Sequence, residues 1–181
     1  MNRDQRPIRL PRMDAVPILR TDFTDSAGWD RLLQALEMPV TQEEGSQDFC
    51  DYDRAISYVT PVDQEEYRGL LPEMALAAAP YTGHDLPYDH LYLADAETFA
   101  SDDLPLLGID LHDDVESWPR EEPFRVPALQ VAGVEINDSI ANLLFHEFRD
   151  FDWTESEVYV AGPGTTVHEE FRRMDQDEDE D

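Results

Sequence analysis

The chain has 181 residues, and its 42 acidic against 13 basic side chains give a formal net charge of −29 at pH 7. That length suits a single domain, and 41% hydrophobic residues are enough for a core of its own. Direct reading of nucleic acid is excluded because phosphate contacts need clustered cations, and one cysteine, Cys50, excludes an internal disulfide.

Residues 1–14 carry Arg3, Arg6, Arg9 and Arg12 among Pro7 and Pro11, which predicts a mobile arm. These charges lead into no apolar stretch of the kind that opens a secretory signal, so a cytoplasmic location is expected. Val16–Phe23 is a short apolar run and predicts a buried strand. Asp25 or Ser26 then caps a helix with Trp29, Leu32, Leu33 and Leu36 at i, i+3, i+4 and i+7, stopped by Pro39. Tyr52–Val59 alternates weakly and predicts a second strand. Asp63 and Glu66 have capping-box spacing before Tyr67, Leu70, Leu71 and Met74. Pro72 interrupts that helix, leaving a break or a second short helix to Ala79.

The sequence PYTGHDLPYD at 80–89 is loop by its turn residues. His90–Leu93 and Leu104–Leu111 follow as strands, the second apolar enough to be central. After a charged loop around 119–122, Phe124–Val131 reads as a strand, and Asn137 or Asp138 caps a helix to about Phe148. That helix would place Ile140, Leu143, Leu144 and Phe148 on one side. Trp29, Leu33, Ile140 and Phe148 are therefore the expected core. Val158–Ala161 is a last strand, and residues 166–181 form an acidic tail with eight acids and two Arg. Strands interspersed with helices predict a single α/β or α+β domain over residues 15–165, a sandwich of a mixed sheet with about three helices. The longest nearly apolar stretch, MALAAAP at 74–80, is far short of the ~20 residues that span a bilayer, so no membrane contact is expected.

Asp22 and Asp110 each end an apolar strand. Were those strands neighbours, Asp22, Asp110, His112 and Asp113 would converge as oxygen and nitrogen ligands for a divalent metal supporting hydrolysis through a bound water. Helix capping by Asp25 and solvation of the turn acids explain many of these carboxylates without a metal. The histidines show no metal-protease spacing, and His146 reads as a surface position on the last helix. There is no nucleophile elbow, P-loop or dinucleotide fingerprint, and no cofactor is expected. Arg20 and Arg125 are cations within apolar strands, with Asp22 or Glu135 as candidate partners. Each is either a brace of the sheet or a clamp for a ligand's carboxylate or phosphate.

Three segments, LRTDFTDSAGWDRLLQAL at 19–36, LPLLGIDL with the following PFRVPA, and EINDSIANLLFHEF at 135–148, resemble an actinobacterial family of uncharacterised proteins, a domain of unknown function. The resemblance covers roughly residues 15–160. It implies a shared fold unit and no activity. Asp22, Asp110, Arg20, Arg125 and Asn142 lie within its motifs and are the candidate binding positions.

The excess of acids without a catalytic motif points to a non-enzymatic interaction module that docks a basic protein partner, as an immunity-type protein does. The alternatives are a metal-dependent hydrolase at the strand ends of Asp22 and Asp110, and a DNA mimic, whose charge would have to gather on one face.

Overall fold

A computed structural model describes residues 8–38, 54–82, 86–112, 122–141 and 143–150. Among them the chain forms a five-stranded mixed sheet in the order β2-β1-β3-β4-β5, where β1 is Val16–Arg20, β2 Val59–Val62, β3 His90–Ala94, β4 Leu106–Asp110 and β5 Phe124–Val126. β2, β1 and β3 run parallel, while β3–β4 and β4–β5 are antiparallel. The central strands are buried on both faces, which is why VPILR and HLYLA read as continuous apolar runs.

Pleating sorts the side chains onto two faces. Ile18, Tyr92, Ala94 and Leu106 pack with Trp29, Leu32 and Leu36 of helix α1 (Ser26–Leu36) and with Phe145 and Phe148. Leu19, Leu91, Leu93 and Ile109 face the other way, onto Tyr67, Leu70 and Ala75. Ala75 belongs to α2 (Pro72–Thr82). The Asp25 carboxylate caps α1 by accepting the Gly28 amide at 2.7 Å. Pro72 opens α2, where a missing N–H is harmless, rather than interrupting a longer helix; Asp63–Met74 instead contains a 3-10 turn at Glu65–Tyr67. A short α3 (Ala96–Ala100), unforeseen in the sequence, follows β3 and opens with an Asp95/Thr98 capping box. None of the described helices is long and apolar enough to cross a membrane.

The largest difference from expectation lies near the C-terminal end of the described chain. The strand expected over Phe124–Val131 ends at Val126, and α4 occupies Val131–Ser139, ahead of the helix expected from 137 or 138 to 148. Asn137 is inside α4, donating to the Gly133 carbonyl at 2.7 Å. Ala141, with φ of 55°, turns the chain out of the helix. A 3-10 helix over Phe145–Asp150 then buries Phe145 and Phe148. Ile140, expected in the core, is 58% exposed, and Leu33 is only partly buried.

Of the arm expected over residues 1–14, residues 8–13 are described, and Ile8, Leu10 and Met13 pack against the body. Leu10 is 3% exposed, and the Tyr67 and Tyr88 hydroxyls donate to the carbonyls of Arg9 and Pro11. Cys50, Asp113, Asn142, the strand expected at Val158–Ala161 and the tail at 166–181 lie outside the described residues.

Candidate functional site

Antiparallel pairing of β3 with β4 sets His90 opposite Asp110 on one face of the sheet. His90 is buried, and both of its ring nitrogens meet carboxylates: Nδ1 lies 2.8 Å from Asp89 Oδ1 and Nε2 lies 3.0 Å from Glu135 Oε1. Glu135 reaches the sheet from α4, and the same oxygen accepts the Tyr92 hydroxyl at 2.5 Å. Burial opposes charge on His90, but Glu135 and Asp89 outweigh it and lift the imidazole pKa to about 10. His90 is thus an imidazolium at neutral pH. Burial, reinforced by Glu135, pushes the Tyr92 phenol well above its ordinary range.

Phe145 closes over this group, its ring parallel to the imidazole at a centroid distance of 4.0 Å. The close approach depends on Gly108, where a Cβ would lie 2.7 Å from Phe145 Cζ.

Beside the stacked rings lies a recess of about 90 Å³, with polar walls from Asp89, Asp110, His112, Asp138 and His146 and an apolar wall from Leu144 and Phe145. Asp110 ends β4 and is 3% exposed. Its Oδ1 accepts the His112 backbone amide at 2.9 Å and the His112 Nδ1 at 2.8 Å. Its Oδ2 is buried and has no hydrogen-bond partner among the described residues. Asp138, in the last turn of α4, caps the following segment by accepting the Phe145 amide at 3.0 Å. Burial raises the Asp138 carboxyl pKa; His90 opposes the shift and Asp89 adds to it. The hydrogen bond from His90 holds the Asp89 carboxyl low against a smaller effect of burial. One ligand atom each from Asp89, His90 and Asp138 lie within 4.8 Å of one another, a spacing that suits a metal ion. Both nitrogens of His90 are already engaged, so the donors with remaining capacity are the carboxylates.

Of the positions singled out from sequence, Asp110 and His112 meet here. Asp22 does not: because β3 is parallel to β1 and antiparallel to β4, Asp22 follows β1 at the opposite end of the sheet. Its carboxylate closes a local turn on the Thr24 amide and hydroxyl, both at 2.9 Å. Arg20 braces that end, pairing with Asp63 at 3.3 Å and stacking over Phe23 and Trp29. Arg125 pairs with Asp95 and Glu97, and neither arginine engages Glu135. Asp89, His90, Asp138 and His146 were not among the expected site residues. For Asp89 and His90 the sequence signal is the pair of acid–histidine motifs, DH at 89–90 and DLH at 110–112, which face each other once β3 and β4 pair antiparallel; Asp138 and His146 carry no such signal.

A family model described as a domain of unknown function, DUF6924, matches residues 15–161. No curated protein and no solved structure matches the chain.

Proposed function

The chain belongs to the DUF6924 family, and we propose that it binds a divalent cation in the recess between the start of β3 and the end of β4. The observation that carries this reading is the buried Oδ2 of Asp110, which has no hydrogen-bond partner among the described residues. A buried carboxylate oxygen without a partner costs more than an ordinary hydrogen bond returns, and a cation at that place would satisfy it. Asp89 and Asp138 line the same recess, and among the described residues no arginine does. At about 90 Å³ the recess is large enough for an ion with part of its hydration shell.

Calorimetric titration of the chelator-stripped, untagged chain with Mg²⁺, Ca²⁺, Mn²⁺ and Zn²⁺ tests the reading. At least one ion should bind with a stoichiometry of one, and saturation to ~100 times Kd should add about 2.7 kcal/mol of stability. Asp110→Asn should weaken that ion about 10-fold or more. If none of the four ions binds, the reading is wrong.

The net charge of −29 supports a second proposal, docking of a basic protein partner. Arg20, Arg54, Arg68, Arg125 and Arg149 each face an acid of their own chain, so the acidic excess is left for outside partners. Association with such a partner should slow steeply as salt rises.

A further inference from the structure

We infer that residues 8–13 form a strap whose docking is coupled to the recess, so that cation affinity is high with the strap in place and falls when it lifts; this rests on the cation-binding reading of the same recess.

The strap reaches the site through the sequence neighbours of its acids. Asp89 lines the recess and follows Tyr88, whose hydroxyl donates to the Pro11 carbonyl of the strap. Tyr88 is buried, so water competes little for that bond. Asp110 lines the recess from β4 and precedes Leu111, whose amide donates to the Asp89 carbonyl at 2.7 Å. That backbone bond ties the two acid-bearing segments together. Leu111, and Leu86 just ahead of Tyr88, pack against the cluster that contains Leu10, as do Ile8 and Met13 of the strap. Side chains alternate between the faces of a sheet. Asp110 therefore opens onto the recess while Leu111 belongs to the strap's layer on the other face.

The strap is also built to open before the sheet does. It contains no helix or strand, and a bend at Asp14 and Ala15 joins it to β1. Its anchors are the buried Leu10 and the bonds from the Tyr67 and Tyr88 hydroxyls, while Arg9 and Arg12 on either side of Leu10 are exposed. Segments with few buried contacts open at lower free energy than the strands they cover. Lifting the strap takes the acceptor from Tyr88 and removes Leu10 from the cluster that Leu86 and Leu111 pack against. Asp89 and Asp110 then lose the groups that fix their backbone, and ligand geometry depends on such supports. Coupling of this kind is reciprocal: a cation that prefers the docked form holds the strap down.

The wild-type full chain gives the first readout. Trypsin cleaves after arginine, and cutting after Arg9 or Arg12 requires the strap to lift. Whichever of Mg²⁺, Ca²⁺, Mn²⁺ and Zn²⁺ binds, held at ~100 times its Kd, should slow those two cuts about 5-fold or more. Mass spectrometry maps the cuts under native conditions, with trypsin activity normalised on a reporter peptide. A strap that lifts while the site stays intact would be cut equally fast with and without the ion, and that result overturns the inference. Calorimetric titration of variants gives the second readout. Leu10→Asp, which favours the lifted strap, should weaken the ion about 5-fold or more. Tyr88→Phe, which keeps the ring and removes the bond to Pro11, should weaken it about 2- to 5-fold. The titrations run well below each melting transition, where a loss of global stability alone leaves the affinity of folded molecules unchanged. If Leu10→Asp does not fold, the wild-type cleavage and Tyr88→Phe decide. Should an ion bind wild-type and variants alike and leave the cleavage unchanged, the coupling fails while the cation site stands. Should no ion bind at all, both fail.

Discussion

Arg125 shows how single cations are used in this acidic chain. From β5 its guanidinium grips both oxygens of Asp95, at 2.9 and 2.7 Å, and reaches Glu97 at 2.9 Å, tying an edge strand to the start of α3. Burial pushes the Asp95 carboxyl up, but the Arg125 fork and the Thr98 amide outweigh it and hold the group below its ordinary 3.8. A carboxyl depressed by folding adds stability above its unfolded pKa and loses it as pH falls through the folded value. Asp95→Asn keeps one oxygen to cap α3 but removes the charge facing Arg125 and turns the oxygen that accepts from Arg125 Nη2 into a donor amide. The variant should lose about 1–2 kcal/mol at neutral pH in urea unfolding. That difference should shrink below pH 3.8 and vanish once wild-type Asp95 is protonated. A difference equally large in strong acid would mean that the charge contributes nothing.

At the scale of elements, the informative place is where α4 gives way to the 3-10 helix. A 3-10 helix repeats every three residues, so Phe145 and Phe148 fall on one side and both reach the core. Ile140 and Leu144 match a 3.6-residue period with Phe148, but the chain has left the α-helix before reaching them, and both are exposed. Ile140→Ala should therefore change stability by less than about 0.5 kcal/mol, while Leu32→Ala, in a fully buried position of α1, should lose about 2–5 kcal/mol. Chemical denaturation of the two variants side by side checks this. α1 was legible because the Asp25 cap and the spacing of Trp29, Leu32 and Leu36 agree, and β1, β3 and β4 because buried strands are apolar throughout. With five residues, α3 is too short to display a period, and only its Asp95/Thr98 cap spacing marks it. The site was half legible. DLH at 110–112 stood out at a strand end, but hydrophobic pattern carries no strand direction. The partner assigned to Asp110 was therefore Asp22, from the far end, and not the DH pair across β3.

For the molecule as a whole, strand direction decides where chemistry is accessible. In open α/β sheets ligands gather beyond the carboxyl ends of parallel strands. Here that end of β1 and β3 is filled by internal bonds: the Thr21 amide donates to Ala94, and the Arg20 guanidinium bonds Asp63 and the Asp25 carbonyl. Reversal of β4 brings a different carboxyl end, Asp110, to the opposite side, next to the start of β3. The segment at residues 8–13 bears on the whole molecule in another way. The family match starts at residue 15, yet Leu10 is sunk into the layer formed by Tyr67, Leu70 and Ala75. The matched segment thus begins after a side chain that the core uses. A chain starting at residue 15 would lose the Leu10 side chain and two tyrosine hydrogen bonds, about 2–4 kcal/mol by denaturant unfolding. It would also bare an apolar trough, and should self-associate in sedimentation runs where the full chain does not.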